Sequence, residues 1–195
     1  ASTYGGIFVY KRFDADWLNE KMKKGSVRAI ARQKWPGFLV EELKISRDFI
    51  MLVAWTKESA STSAMIKQMN IFKESDPEEY KRLYDSIAAL VRQFIVAWKK
   101  EDRKNILELL RKNEELLREL GKKSGVNIET EELKILSNLA SKAGAAGKLS
   151  GAGGGDCGIA ICFDKKIAEK INQLWKEAGL YIVDATIDRY GVKAE

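Results

Sequence analysis

The residues best suited to chemistry in this chain lie together near its end, at Ser150-Gly151-Ala152-Gly153-Gly154-Gly155-Asp156. Glycines let successive backbone N–H groups converge into a concave nest and let an anion approach the main chain closely. The spacing is not that of a Walker A loop, because no Gly-Lys-Ser/Thr ends it and the residues that follow read as a strand rather than a helix. On spacing alone, the stretch serves equally well as a tight connection. A second candidate is the hydroxyl-rich run Thr56 to Ser63, which leads into a helical segment. Thr62 and Ser63, with the free N–H groups of a helix N-terminus, suit an anion; the alternative is that one hydroxyl only caps the helix. The chain has no histidine and two cysteines, which argues against a zinc site or a Ser-His or Cys-His nucleophile built from these residues. Cys157 and Cys162 stand in one expected strand, where an odd spacing puts them on opposite faces about 16 Å apart. They cannot pair there, since bridged Cα atoms lie within about 7 Å. Two cysteines fit a reducing, cytoplasmic setting.

The elements that must hold these residues follow from pattern. Residues 6–13 read as a strand; Asp14 caps a short helix from Ala15 to Lys24, ended by Gly25. Trp35-Pro36-Gly37 is turn chemistry, followed by a strand over 38–45. Asp48 to Trp55 is almost continuously apolar, as a central buried strand would be. A helix is expected over 64–72. Asp76, Pro77 and Glu79 then mark a helix start, and Leu83, Ile87, Val91, Phe94 and Trp98 repeat at three and four. A further helix is expected from Asp102 to Leu120, stopped at Gly121, and another from Thr130 to Ala143. The stripes are read as intramolecular core rather than as a coiled-coil surface. Residues 143–155 are a Gly/Ala-rich stretch. After them come a strand from Cys157, a helix capped by Asp164 and stopped by Gly179, and a strand over 180–187. One sheet containing the strands at 38–45 and 48–55 and covered by helices is expected: an α+β fold.

The net charge is +6, from 34 basic and 28 acidic residues. An anionic ligand is one explanation, but no sustained basic block occurs, and residues such as Glu114, Glu115 and Arg118 read as interspersed charge on solvated helix faces. Nucleic acid is not expected as a partner. Neither is a membrane: the apolar run from Phe49 to Trp55 is far too short to span one. The N-terminus shows no basic region followed by an apolar stretch. Because the chain opens at Ala1 in sequence that reads as strand, a cut end is expected there.

Lys148 to Gly158, with the Gly-Gly-Gly-Asp-Cys-Gly ending, resembles the third motif of the GHMP kinases, in the form seen in bacterial phosphomevalonate kinases. Trp55-Thr56-Lys57-Glu58, with Thr62 and Ser63 ahead of Met65, is similar to the strand-to-helix junction of those enzymes. Ala1-Ser2-Thr3-Tyr4-Gly5-Gly6-Ile7 resembles the stretch just beyond the family's catalytic aspartate. The resemblance runs nearly end to end, but it is specific only at these three places.

It implies a GHMP-kinase C-terminal domain, an antiparallel or mixed, ferredoxin-like sheet covered by several long helices, over residues 36–195. Residues 1–35 would be a remnant of the N-terminal domain and its connection. It also implies transfer of the ATP γ-phosphoryl group to phosphomevalonate in isoprenoid synthesis. Ser150, Gly151, Ala152, Gly153 and Gly154 would contact acceptor and phosphate, and Thr62 and Ser63 the acceptor's own phosphate. ATP with Mg²⁺ would be held mainly by an N-terminal half whose phosphate loop, lysine motif and catalytic aspartate this chain lacks. No catalytic residue is therefore expected within it, and the chain by itself is expected to be inactive. Mevalonate kinase, the decarboxylase of the same superfamily, or a free-standing helical binding module are the alternatives.

Overall fold

The computed structural model describes residues 3–192, which fall into two compact units. One is drawn from Ala1–Ile45 with Ile187–Glu195, the other from Ser46–Thr186.

In the first unit, β1 (Ile7–Lys11) pairs antiparallel with β2 (Leu39–Leu43), with Ile7 opposite Leu43 and Lys11 opposite Leu39. Between them lie α1 (Ala15–Lys24) and a short helix the pattern did not predict, α2 (Val27–Ala31). Asp14 caps α1 by accepting from the N–H groups of Asp16 and Trp17, and Ser26 caps α2. Phe13 meets Trp35 edge-on at 4.7 Å, and Trp35 donates from Nε1 to the Ile30 carbonyl at 3.0 Å. Of the N-terminal motif, Ala1 and Ser2 lie outside the described residues. Tyr4 packs on Phe8, and Gly5 is tightly enclosed: a Cβ there would stand 2.4 Å from the Gly191 nitrogen.

The second unit contains β3 (Ile50–Trp55), α3 (Thr62–Ser75), α4 (Pro77–Lys99), α5 (Arg103–Ser124), α6 (Glu131–Lys142), β4 (Ala146–Leu149), β5 (Cys157–Cys162), α7 (Lys165–Glu177) and β6 (Tyr181–Val183). The four strands form an antiparallel sheet in the order β4-β5-β3-β6. Taken in chain order they make the split β-α-β arrangement of a ferredoxin-like fold, with α3 to α6 all placed in the first crossover. The fold is thus α+β, as expected, but the expected single sheet is two. β2 carries Glu41 and Glu42 and joins β1, whereas β3, apolar on both faces, is central in its own sheet.

Buried Ala54, Leu136, Ala160, Ile171 and Trp175 form the core between this sheet and the helices α6 and α7. Trp175 is fully buried, and its indole N–H is satisfied by the Leu136 carbonyl at 3.0 Å. A second cluster, including Phe72, Leu83, Leu120, Ile128, Leu133 and Leu149, joins α3, α4, α5 and α6 to the end of β4.

Several boundaries differ from the sequence expectation; the strand expected over 180–187, for one, is only Tyr181–Val183. Helix α5 continues through Gly121 and stops at Gly125, whose φ of 68° makes the left-handed cap. Gly121 serves close packing instead, since a Cβ there would lie 3.1 Å from the Val126 carbonyl. Helix α3 begins at Thr62 rather than Ala64, so both candidate hydroxyl residues sit in its first turn. The Gly/Ala stretch hides a strand, β4, because its glycine serves packing rather than flexibility. At Gly147 a Cβ would fall 2.7 Å from the Ser137 Cα of α6.

Candidate functional site

Strands β4 and β5 are antiparallel neighbours, with Leu149 opposite Gly158, and the loop 150–156 is the hairpin connection between them. Ser150 closes its base by donating to the Cys157 carbonyl at 3.0 Å. Gly151, Gly153, Gly154, Gly155 and Asp156 all have positive φ, a run that only a glycine-rich sequence adopts without accumulating strain.

The loop has two sides. Gly153 and Gly155 are buried. A Cβ at Gly153 would stand 2.1 Å from the Ile128 carbonyl oxygen, and one at Gly154 would stand 3.0 Å from the Met65 sulfur. The Gly154 N–H is already used, donating to Ile128 at 2.7 Å. Ser150, Gly151 and Ala152 are exposed, and a Cβ at Gly151 would meet nothing within 4 Å.

The segment after β3 is tied to the same loop. Buried Thr56 donates from its N–H and its hydroxyl to the Asp156 carbonyl at 2.8 and 2.9 Å, and the Asp156 N–H donates to Glu58 at 2.8 Å. Asp156 thus acts here through its main chain, with its side chain exposed. Thr56 opens the hydroxyl-rich run singled out in the sequence, but only Thr62 and Ser63 of that run were assigned a role. The distinguishing signal of Thr56 was its place, directly after the apolar strand β3.

The tie brings the N-terminus of α3 beside the loop. A cavity of about 250 Å³ is lined by Thr62, Met65, Ile66 and Met69 of α3, by Tyr84, Leu117 and Leu149, and by Gly151 and Ala152. Ser61 is the N-cap of α3 and makes no side-chain cap hydrogen bond; its hydroxyl lies 3.3 Å from that of Ser63. Asp14, Ser26, Asp76, Asp102, Thr130 and Asp164 all cap their helices through side chains. The first-turn N–H groups of α3 therefore stay open to an anion beside an apolar hollow. Thr62, Gly151 and Ala152 share this cavity; Ser63 and Ser150 lie at its flanks in sequence, and Gly153 and Gly154 form the packed back of the loop.

This arrangement can bind and orient a small molecule with an apolar body and an anionic end, but it contains no general base or nucleophile. Burial pushes the Cys157 thiol up, so it stays protonated. Burial also pushes the Tyr84 phenol up to about 12. No carboxylate lines the cavity to hold a cation, and among the described residues no cluster of His, Cys, Asp or Glu suits a metal ion.

Charged groups gather behind β4. Glu114 is 4% exposed, not on a solvated face as its sequence context suggested. It lies four residues after Leu110 and three before Leu117, so it occupies the apolar stripe of α5, a spacing that marked it for burial. Its Oε2 accepts from the Leu149 N–H at 3.2 Å, and burial pushes its carboxyl up to about 7. Lys148 donates to the Leu149 carbonyl at 2.6 Å, and burial lowers its ammonium. Arg111 donates twice to the Ala145 carbonyl, at 3.0 and 2.6 Å. Strand β4 lies at the edge of the sheet, and these side chains occupy backbone groups that pairing with β5 leaves open.

Residues 86–179 match the family described as GHMP kinases C terminal. Over that stretch the chain is a GHMP-kinase C-terminal domain. The chain is 30% identical over 183 residues to the phosphomevalonate kinase of Streptomyces sp. (strain CL190), a match covering 92% of this chain and 49% of that protein. Among solved structures, the Lin0012 protein from Listeria innocua superposes with a TM-score of 0.91 at 34% identity, covering 95% of this chain and 52% of that one. Streptococcus pneumoniae phosphomevalonate kinase, in complex with phosphomevalonate and AMPPNP, superposes with a TM-score of 0.80 at 25% identity, covering 93% of this chain and 52% of that one. The chain thus spans about half the length of the relatives it matches. No helix among the described residues is long and apolar enough to cross a membrane.

Proposed function

We propose that this chain is the C-terminal part of a phosphomevalonate kinase. The whole enzyme moves the γ-phosphoryl group of ATP to phosphomevalonate, giving diphosphomevalonate in cytoplasmic isoprenoid synthesis. The observation that carries the reading is the shared cavity of Thr62, Gly151 and Ala152, in a chain whose fold matches a kinase solved with phosphomevalonate and an ATP analogue.

In this reading the apolar wall of Met65, Ile66 and Met69 receives the acceptor's carbon skeleton. Ser150, Gly151 and Ala152 orient its reacting phosphate, Gly153 and Gly154 hold the loop in shape, and Thr62 and Ser63 meet the acceptor at the N-terminus of α3. Phosphoryl transfer depends on positioning and on neutralising charge around the phosphates. The cavity supplies positioning but no cation and no carboxylate for Mg²⁺. ATP, Mg²⁺ and the catalytic aspartate are therefore assigned to an N-terminal half, and residues 1–35 to a remnant of that half and its connection.

The test is ADP release with ATP, Mg²⁺ and phosphomevalonate, measured on this chain alone and on the protein that joins it to its N-terminal half. Turnover is expected only from the joined protein and only with phosphomevalonate as the efficient acceptor. Turnover by the chain alone at roughly 1–100 per second, or a clear preference for unphosphorylated mevalonate, overturns the reading.

A further inference from the structure

We infer that Glu114 is a positioning residue for the glycine loop, and that it holds one proton shared with Glu129. The loop's part in that statement rests on the reading given under Proposed function. The loop begins at Ser150, and the residue just before it, Leu149, is the last of β4. The Leu149 N–H is held by Glu114 Oε2 at 3.2 Å and its carbonyl by Lys148 Nζ at 2.6 Å. The base of the loop is thus fixed from behind by a side chain of another element, α5.

The other carboxyl oxygen, Oε1, is buried and receives no hydrogen bond. Glu114 interacts with the carboxyl group of Glu129, whose two oxygens accept from Arg118 at 2.5 and 2.7 Å. Both facing groups are acceptors when ionised, so the contact is satisfied only when a proton stands between them. Arg118 already donates to both oxygens of Glu129, which leaves Glu114 as the carboxyl that carries the proton and donates. The raised carboxyl of Glu114 agrees with this arrangement.

The charges around Glu114 come from several elements. Helix α5 contributes Arg111, Glu115 and Arg118, β4 contributes Lys148, and the segment before α6 contributes Glu129. Toward Glu114, helix α6 presents the neutral Ser137, Asn138 and Ser141, while its Glu131 and Lys134 line the neighbouring hollow with Arg118 and Glu129. A polar cavity of about 200 Å³ reaches Glu114 between α5, α6 and Gly147, a route by which the proton exchanges with solvent.

With the proton in place, Glu114 both accepts from Leu149 and donates to Glu129. When the proton leaves, two carboxylates face each other in a poorly solvated site, and Glu114 is drawn toward Lys148 and away from its place under the loop. Loop geometry, and with it use of the acceptor, therefore degrades as pH rises through neutrality.

The experiment uses the whole protein, labelled with ¹⁵N-leucine, and the variants Glu114→Gln and Glu114→Ala. The Leu149 amide resonance is expected to move in a single step between pH 6 and 8.5 in the wild type and to stay still in Glu114→Gln, which keeps the acceptor and donor without the charge. In the same range, wild-type kcat/KM for phosphomevalonate is expected to fall with rising pH. Glu114→Gln should stay within about threefold of the low-pH value at every pH, while Glu114→Ala, which strands the Leu149 N–H, should lose about tenfold or more. A Leu149 resonance that titrates unchanged in Glu114→Gln, or equal loss in Gln and Ala with the wild-type pH profile, overturns the inference. The amide titration decides it even where the whole protein turns over no phosphomevalonate; that result overturns the assigned reaction and not the anchor.

Discussion

The two sides of one hairpin loop use the same residue type for opposite reasons. At Gly153 the missing side chain is a packing requirement, because a Cβ would stand 2.1 Å from the Ile128 carbonyl oxygen. At Gly151 a Cβ would meet nothing within 4 Å, yet φ is 71°, so glycine there serves backbone shape and leaves the surface bare. The inner side anchors the loop to the segment after α5, while the outer side, with Ala152, faces the cavity beside α3. The difference teaches that a glycine run is not one functional unit: Gly153, Gly154 and Gly155 are scaffold, while Gly151 belongs to the face proposed for the ligand.

The largest effect is expected at the inner side. Gly153→Ala drives a methyl group into a backbone oxygen at a left-handed position, so overpacking and backbone strain add to about 3 kcal/mol or more. The melting temperature should fall by about 6–12 °C in calorimetry. A fall of less than about 2 °C would mean that the inner side is as free as the outer.

Next comes Ala152→Val at the outer side, assayed in the whole protein. Added methyl groups there occupy the space proposed for the acceptor, and kcat/KM for phosphomevalonate should drop on the order of a hundredfold. Its melting curve should scarcely move. Cys162→Ala, in buried β5, is the contrasting control and should lower stability more than specific activity. Near-wild-type kinetics for folded Ala152→Val would make both sides scaffold.

The base of the loop gives a pH prediction. Burial raises the Glu114 carboxyl to about 7 in the folded protein, above its unfolded value, so the native state binds the extra proton. Its contribution to stability is complete below the unfolded value and declines as pH rises toward and through about 7. Against Glu114→Gln, the wild-type melting temperature should therefore drop by roughly 2–6 °C between pH 5 and 8. A difference that grows toward acid pH would contradict this sign.

Gly151→Ala is expected to be the mildest. Its cost is the left-handed backbone alone, about 1–2 kcal/mol, read as a shift in chemical-denaturation midpoint. A larger loss would show the outer side to be packed.

Much of the fold was legible in the chain. Asp14, Asp76, Asp102, Thr130 and Asp164 announced helix starts, and each accepts from its own first turn in the structure. These are local interactions, complete within a few residues, and so are written in adjacent letters. The same holds for the double-faced β3 and for the apolar period of α4, except that Leu90 is buried there and Val91 is exposed. The loop 150–156 was also visible, because consecutive glycines have no other frequent use.

What only the tertiary structure decided involves partners distant in sequence. Gly121 reads as a helix stop and is a point of close approach to Val126 and Ile128, while Gly147 reads as part of a Gly/Ala-rich stretch and is pressed against Ser137. The division of 38–45 and 50–55 between two sheets depends on which strand each edge meets. Thr56 reaches Asp156 across one hundred positions, and Glu114 reaches Leu149 across thirty-five. A carboxylate among other charges looks solvated until the strand that covers it is in place. The residue types and their local geometry came from the sequence; the burial that turns Glu114 into an anchor, and a glycine run into a scaffold with one open face, came from the packing of α5 and α6 against the edge of the sheet.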